Sequence, residues 1–150
     1  MQSFVIQGGR PLSGTIRASG NKNGALPILA ATVLASEEVL VSNLPRIRDV
    51  EIMVELLADL GADATWTGPN EVRVESSGIS KTELNPDLCR EIRASFLLAG
   101  PLLARFGRVV VPPPGGDVIG RRRLDTHIHA FAELGVEVEI NGTYDLRAER

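Results

Sequence analysis

The sequence predicts an α/β protein, and three observations carry that prediction. Short β-branched runs alternate with longer apolar stretches at helical spacing, glycines close those stretches, and the whole pattern occurs twice. Placing residues 25–45 (ALPILAATVLASEEVLVSNLP) over residues 94–114 (ASFLLAGPLLARFGRVVVPPP) pairs Ala25 with Ala94, Leu29 with Leu98, Leu34 with Leu103, Val41 with Val110 and Pro45 with Pro114. The register then shifts, and residues 54–61 (VELLADLG) fall on residues 128–135 (IHAFAELG). Two internal repeats follow, about residues 15–75 and 79–150. The second is longer by roughly five residues, which fall at Gly115-Gly116-Asp117-Val118-Ile119, and an insertion on one copy of a duplicated scaffold is a natural place for added function.

Each element has its own signal. Thr15-Ile16-Arg17-Ala18 is expected as a strand leading into Ser19-Gly20-Asn21-Lys22-Asn23-Gly24, with a helix opening at Ala25. Val39-Leu40-Val41 and Val109-Val110-Val111 are too short and too branched for helices and are expected as buried strands. Ile52, Leu56 and Leu60 repeat at helical spacing, and Gly61 follows the last turn where a left-handed residue is favoured. A long apolar helix is expected from about Ala94, and a further one ending at Leu134-Gly135. Val72-Arg73-Val74 and Val136-Glu137-Val138-Glu139-Ile140 alternate strictly, as strands with one wet face do. Each copy is therefore expected to be a right-handed βαβ-type unit with a small hairpin attached.

Composition narrows the function. The 150 residues are 43% hydrophobic, enough for a packed core, and the formal charge of -3 argues against nucleic acid as the main partner. Met1 to Ile6 shows no basic segment followed by an apolar one, and no run reaches the roughly 18 apolar residues of a membrane span. With a single cysteine, Cys89, the chain is expected in the reducing cytoplasm, and that thiol is expected to be a small buried residue. Lys22 and Lys81 are the only lysines among many arginines, so lysine at position 22 stands out from background usage.

Three groups of residues could carry chemistry. Lys22 and Asn23 stand where a helix begins, and the unpaired N–H groups and positive dipole end there suit a phosphate or carboxylate. A glycine-softened turn with a solvated lysine would show the same residues. Pro112 to Arg123 places Asp117 beside Arg121, Arg122 and Arg123, in a glycine-bearing loop able to hinge, which suits a proton donor next to an anion site or a plain surface ion pair. Arg93, in Glu91-Ile92-Arg93-Ala94-Ser95, occupies nearly the place in the second copy that Gly24 holds in the first, and pairing with Glu91 or Asp87 is the alternative to a ligand role. His127 and His129 are two apart and would point to different helix faces, so no metal site is expected.

SGNKNGALPIL, EIRASFLLAGPLLARFG and PGG-D-VIG-x-R-x-x-D-x-HI, in that order, closely resemble the enolpyruvyl transferases that act on UDP-N-acetylglucosamine. The resemblance implies two domains, each an inside-out α/β barrel of three βαβαββ units, of which this chain carries about two, with strand 3–7 belonging to the other domain. It implies phosphoenolpyruvate and UDP-N-acetylglucosamine as substrates, no cofactor or metal, and a role in peptidoglycan synthesis. By the matching motifs, Lys22 and Asn23 contact phosphoenolpyruvate, Arg93 contacts the nucleotide sugar, and Arg122, Arg123, Leu124, Asp125 and Thr126 lie along the sugar nucleotide, Arg122 also near the phosphate. Asp117 takes the proton donor's place, where most members have cysteine. The general base and a further arginine lie outside this chain, in C-terminal units of the same enzyme, so the isolated chain is expected to be inactive. Shikimate 3-phosphate enolpyruvyl transferases share the fold but read differently around the lysine, and a truncated binding module or an RNA-end-modifying enzyme are the other classes to weigh.

Overall fold

The computed structural model describes residues 3–116 and 123–148 and shows a mixed α/β fold. The order is α1 (Lys22–Ala31), a 3-10 turn (Thr32–Leu34), β1 (Val39–Val41), α2 (Arg48–Leu60), β2 (Asp63–Gly68) and β3 (Glu71–Glu75). Then follow α3 (Pro86–Glu91), a 3-10 segment (Arg93–Leu98), α4 (Ala99–Phe106), β4 (Arg108–Val111), α5 (Asp125–Glu133), β5 (Val136–Ile140) and β6 (Tyr144–Ala148). Among the described residues, no helix is long and apolar enough to cross a membrane.

The strands form two sheets, ordered β1-β3-β2 and β4-β6-β5, and every neighbouring pair within them is antiparallel. The expected βαβ unit is corrected accordingly. β1 and β2 run parallel across α2 but do not touch, because β3, turning straight back from β2, pairs with both. β1 is therefore an edge strand and not a buried one: Leu40 on its outer face is 58% exposed. The alternating runs do have one wet face, with Val72 and Val74 fully buried in β3 while Arg73 between them ion-pairs with Glu38 and Asp63.

Thr15 to Ala18 form no strand, and neither do residues 3–7; both stretches are exposed and pair with no strand. In the second copy the corresponding stretch finds one: Glu83 bridges Val110 in parallel, and Leu84 N–H donates to the Val110 carbonyl at 3.0 Å. A strand needs a ladder partner, which hydrophobic alternation alone does not supply.

The helices begin earlier or break sooner than the pattern implied. α1 starts at Lys22, not Ala25, because Asn21 caps it: its Oδ1 accepts the Gly24 N–H at 2.8 Å. The long helix from Ala94 is a 3-10 segment followed by α4, since Pro101 has no N–H for the carbonyl four residues back and its ring clashes there. α3 went unpredicted; Asn85 accepts N–H groups of Asp87 at 2.9 Å and Leu88 at 3.3 Å, and Pro86 sits at the first helical position.

α2 is the centre of the molecule. Val50, Ile52, Met53, Leu56, Leu57 and Leu60 are fully buried, and they belong to one apolar cluster with Leu29 and Val33 of the first copy and Leu98, Leu102, Val109, Val111 and Leu146 of the second. The copies are also tied by Arg105, whose Nη1 donates to the Val33 carbonyl at 2.7 Å. Packing the copies against each other brings the starts of α1, α2, the Arg93–Leu98 segment and α5 to one pocket.

Candidate active site

The pocket encloses about 380 Å³. Lys22, Asn23, Leu26 and Pro27 line it from α1, Asp49 from α2, Glu91 from α3, Arg93, Ala94, Phe96 and Leu97 from the 3-10 segment, Gly116 from the segment leaving β4, and Leu124 and His127 from the start of α5. An apolar floor with a few charged groups at helix starts suits a ligand with one anionic end.

Lys22 and Arg93, far apart in sequence and in different copies, line the same pocket. Lys22 Nζ donates to Asp49 Oδ2 at 2.6 Å, with both side chains partly exposed. The approach to Lys22 is held by Gly20, whose N–H donates to Asn43 Oδ1 at 3.2 Å. Arg93 Nη2 donates to the Arg123 carbonyl at 2.9 Å. Asp87 instead pairs with Arg90, and Glu91 is gripped by Arg48, whose Nη2 donates to Oε2 at 2.8 Å.

The segment leaving β4 is anchored beside this wall. Gly115 N–H donates to the Cys89 carbonyl at 2.9 Å and Gly116 N–H to the Arg90 carbonyl at 3.1 Å, bonding it to carbonyls in the last turn of α3. A side chain at Gly115 would put its Cβ 1.7 Å from the Arg90 carbonyl oxygen, and Gly116 has φ +85°, so this close approach requires glycine at both positions. Asp117, Arg121 and Arg122 lie outside the described residues. The chain reappears at Arg123, and Leu124 returns to the pocket wall.

The expected site residues thus divide. Lys22, Asn23, Arg93 and Leu124 are brought together. Arg123 reaches the site through its carbonyl only, its side chain being paired with Asp125 at 2.5 Å, and Asp125 and Thr126 are exposed and do not line the pocket. Sequence reasoning missed Asp49 and Glu91 as lining residues. Asp49 carried no separate signal, because an acidic residue in the first turn of a helix is what the dipole favours anyway. His127 stands edge-on to Phe96 with ring centroids 5.6 Å apart, a packing role that a lone histidine in sequence does not announce. Cys89 is fully buried, and burial pushes its thiol up to about 11, which removes it as a nucleophile.

Residues 6–148 match the model of the EPSP synthase (3-phosphoshikimate 1-carboxyvinyltransferase) family, and the chain belongs to that family. Among curated relatives, a UDP-N-acetylglucosamine 1-carboxyvinyltransferase of Bradyrhizobium diazoefficiens is 52% identical over 147 residues, 98% of this chain and 34% of the relative. One of Treponema denticola is 47% identical over 150 residues, 100% of this chain and 35% of the relative. The solved structure of the enolpyruvyl transferase NikO from Streptomyces tendae superposes with a TM-score of 0.75 at 29% identity, covering 95% of this chain and 32% of that one. The chain therefore spans about a third of the length of the relatives it matches.

Proposed function

We propose that this chain supplies one wall of the active site of an enzyme that transfers the enolpyruvyl group of phosphoenolpyruvate to the 3-hydroxyl of UDP-N-acetylglucosamine, with release of phosphate. The observation that carries the reading is the 52% identity to such an enzyme across 98% of the chain. The convergence of Lys22, Asn23, Arg93 and Leu124 on one pocket supports it. The shared strand order of the two sheets supports the finer architecture, repeated units of an inside-out barrel completed by parts not present in these 150 residues. The step itself belongs to peptidoglycan synthesis, and that setting is cytoplasmic.

In this scheme the sugar hydroxyl loses its proton to a base outside the chain and its oxygen bonds to C2 of phosphoenolpyruvate, while C3 takes a proton from Asp117. The tetrahedral adduct then loses a proton from C3 and expels phosphate as the C2–O bond breaks. Lys22, Asn23 and Arg122 hold the phosphate and stabilise charge on it, and Arg93 with Leu124 orients the nucleotide sugar.

The test joins residues 1–150 to the remaining two thirds of the Bradyrhizobium diazoefficiens relative and follows phosphate release from phosphoenolpyruvate. UDP-N-acetylglucosamine is expected to support release and shikimate 3-phosphate is not; the reverse preference would move the chain to the activity for which its family is named. Lys22→Ala should lower turnover by about 10²-fold or more while leaving the fold intact, and Lys22→Arg should restore little, since a fork does not replace a point charge. Unchanged kinetics in Lys22→Ala would remove Lys22 from the site.

A further inference from the structure

We propose that Arg48 and Asp49, the first two residues of α2, are positioning residues that set the spacing between the site's two cationic groups, Lys22 and Arg93. The proposal rests on the enolpyruvyl reading above and deepens it.

Consecutive residues on a helix diverge by about 100°, so neighbours can reach opposite walls of a pocket. Asp49 reaches back to α1 and accepts from Lys22 Nζ at 2.6 Å. Arg48 reaches forward to α3 and holds Glu91 with a fork, Nε to Oε2 at 3.1 Å and Nη2 to Oε1 and Oε2 at 3.1 and 2.8 Å. Its Nη1 is braced by Glu55 of its own helix at 3.1 Å. Glu91 stands two residues before Arg93, and Ile92 between them is 2% exposed, so fixing Glu91 fixes the start of Arg93's segment. The anchor is rigid, because Val50, Ile52 and Met53 immediately after the pair are fully buried. Arg48 does not line the pocket and acts only through Glu91.

Charge alone predicts the opposite behaviour for Asp49. A carboxylate beside an anion site repels the anion, so removing it should tighten binding if Asp49 is no more than a counter-charge. If it holds a flexible lysine in place, removing it loosens binding, because the lysine must then be ordered by the ligand. The two accounts differ in sign.

With two lysines in the chain, lysine carrying ¹³C at the ε position yields two methylene signals from the full 150-residue protein. Lys81, paired with Asp59 at 3.3 Å and absent from the pocket lining, serves as the internal reference. Phosphoenolpyruvate is titrated with UDP-N-acetylglucosamine present, and inorganic phosphate separately. The Lys22 signal should move in the wild type. Asp49→Asn, which makes the chain less negative, and Arg48→Lys, which leaves its charge unchanged, should each weaken phosphoenolpyruvate binding by roughly tenfold. Asp49→Glu should retain more affinity than Asp49→Asn. Both side chains are partly exposed, at 57% for Arg48 and 34% for Asp49, and an unchanged amide spectrum confirms folding of each variant. Equal or tighter binding by Asp49→Asn, or wild-type binding by Arg48→Lys, overturns the proposal while leaving the enolpyruvyl reading in place. A wild type whose Lys22 ignores both anions overturns this proposal, while phosphate release by the chimera decides the enolpyruvyl reading independently.

Discussion

At the scale of single residues the proposed mechanism asks most of Asp117, the proton donor it assigns. A carboxylate is ordinarily ionised at neutral pH, so an aspartate donor has to gain a proton as the substrates neutralise the neighbouring arginines and exclude water. It is also a far weaker nucleophile than a thiolate toward an epoxide. In the chimera with the Bradyrhizobium diazoefficiens relative, fosfomycin should therefore leave the native residue unlabelled. Asp117→Cys should keep turnover and become sensitive, and Asp117→Asn should lose turnover, an amide having no proton to give. Mass spectrometry of the loop peptide after time-dependent inactivation reads the outcome, and a label on Asp117 or full activity of the Asn variant would contradict the assignment. Lys22 was legible from its place before a helix and its rarity among the cations; Asp49 and Glu91 were not, because nothing local distinguishes an acidic residue that complements a helix dipole from one that grips a lysine 27 positions away.

At the scale of elements, periodicity located most of the helices and strands but not α3, and single prolines and caps decided their ends. Pro101 splits one expected helix and Asn21 lengthens another. The second sheet also carries a pH response. Asp145 in β6 accepts from Arg108 Nε at 3.1 Å and Nη2 at 3.0 Å in the adjacent strand, and from Arg147 at 2.6 Å. The hydrogen bonds from Arg108, followed by those from Arg147, hold its carboxyl below the usual aspartate range. A carboxyl depressed in the folded state stabilises the fold above its unfolded value, near 3.9, and that contribution disappears as pH falls through the folded value. Stability should therefore drop below about pH 4, and Asp145→Asn should remove that share, of order 1 kcal/mol or less because water screens the pair. Urea midpoints between neutral and acidic pH measure it; identical acid sensitivity in the variant would assign the drop to other carboxyls.

At the scale of the whole molecule, the described residues leave a good deal of apolar surface in water. Phe4, Val5, Ile6, Leu12 and Ile16 are each at least 88% exposed, and Leu134 and Ile140 follow at 80% and 57%. No residue of α5 is fully buried. The isolated 150-residue chain should therefore self-associate with rising concentration and bind a hydrophobic dye, as sedimentation and fluorescence would record. A protein that stays monomeric and ignores the dye would show that these side chains find cover within the chain. The sequence by itself determined the α/β class, the polar faces of the alternating strands and Lys22 and Arg93 as candidate anion-directed cations, because these depend on spacing and side-chain chemistry that local order preserves. Only the tertiary structure decided that β3 lies between β1 and β2, that Thr15 to Ala18 has no partner strand, and that Lys22 and Arg93 share a pocket with Asp49. Strand order and long-range ion pairs follow from how two copies bury one common apolar cluster, and that burial is a property of the assembled chain which no short window contains.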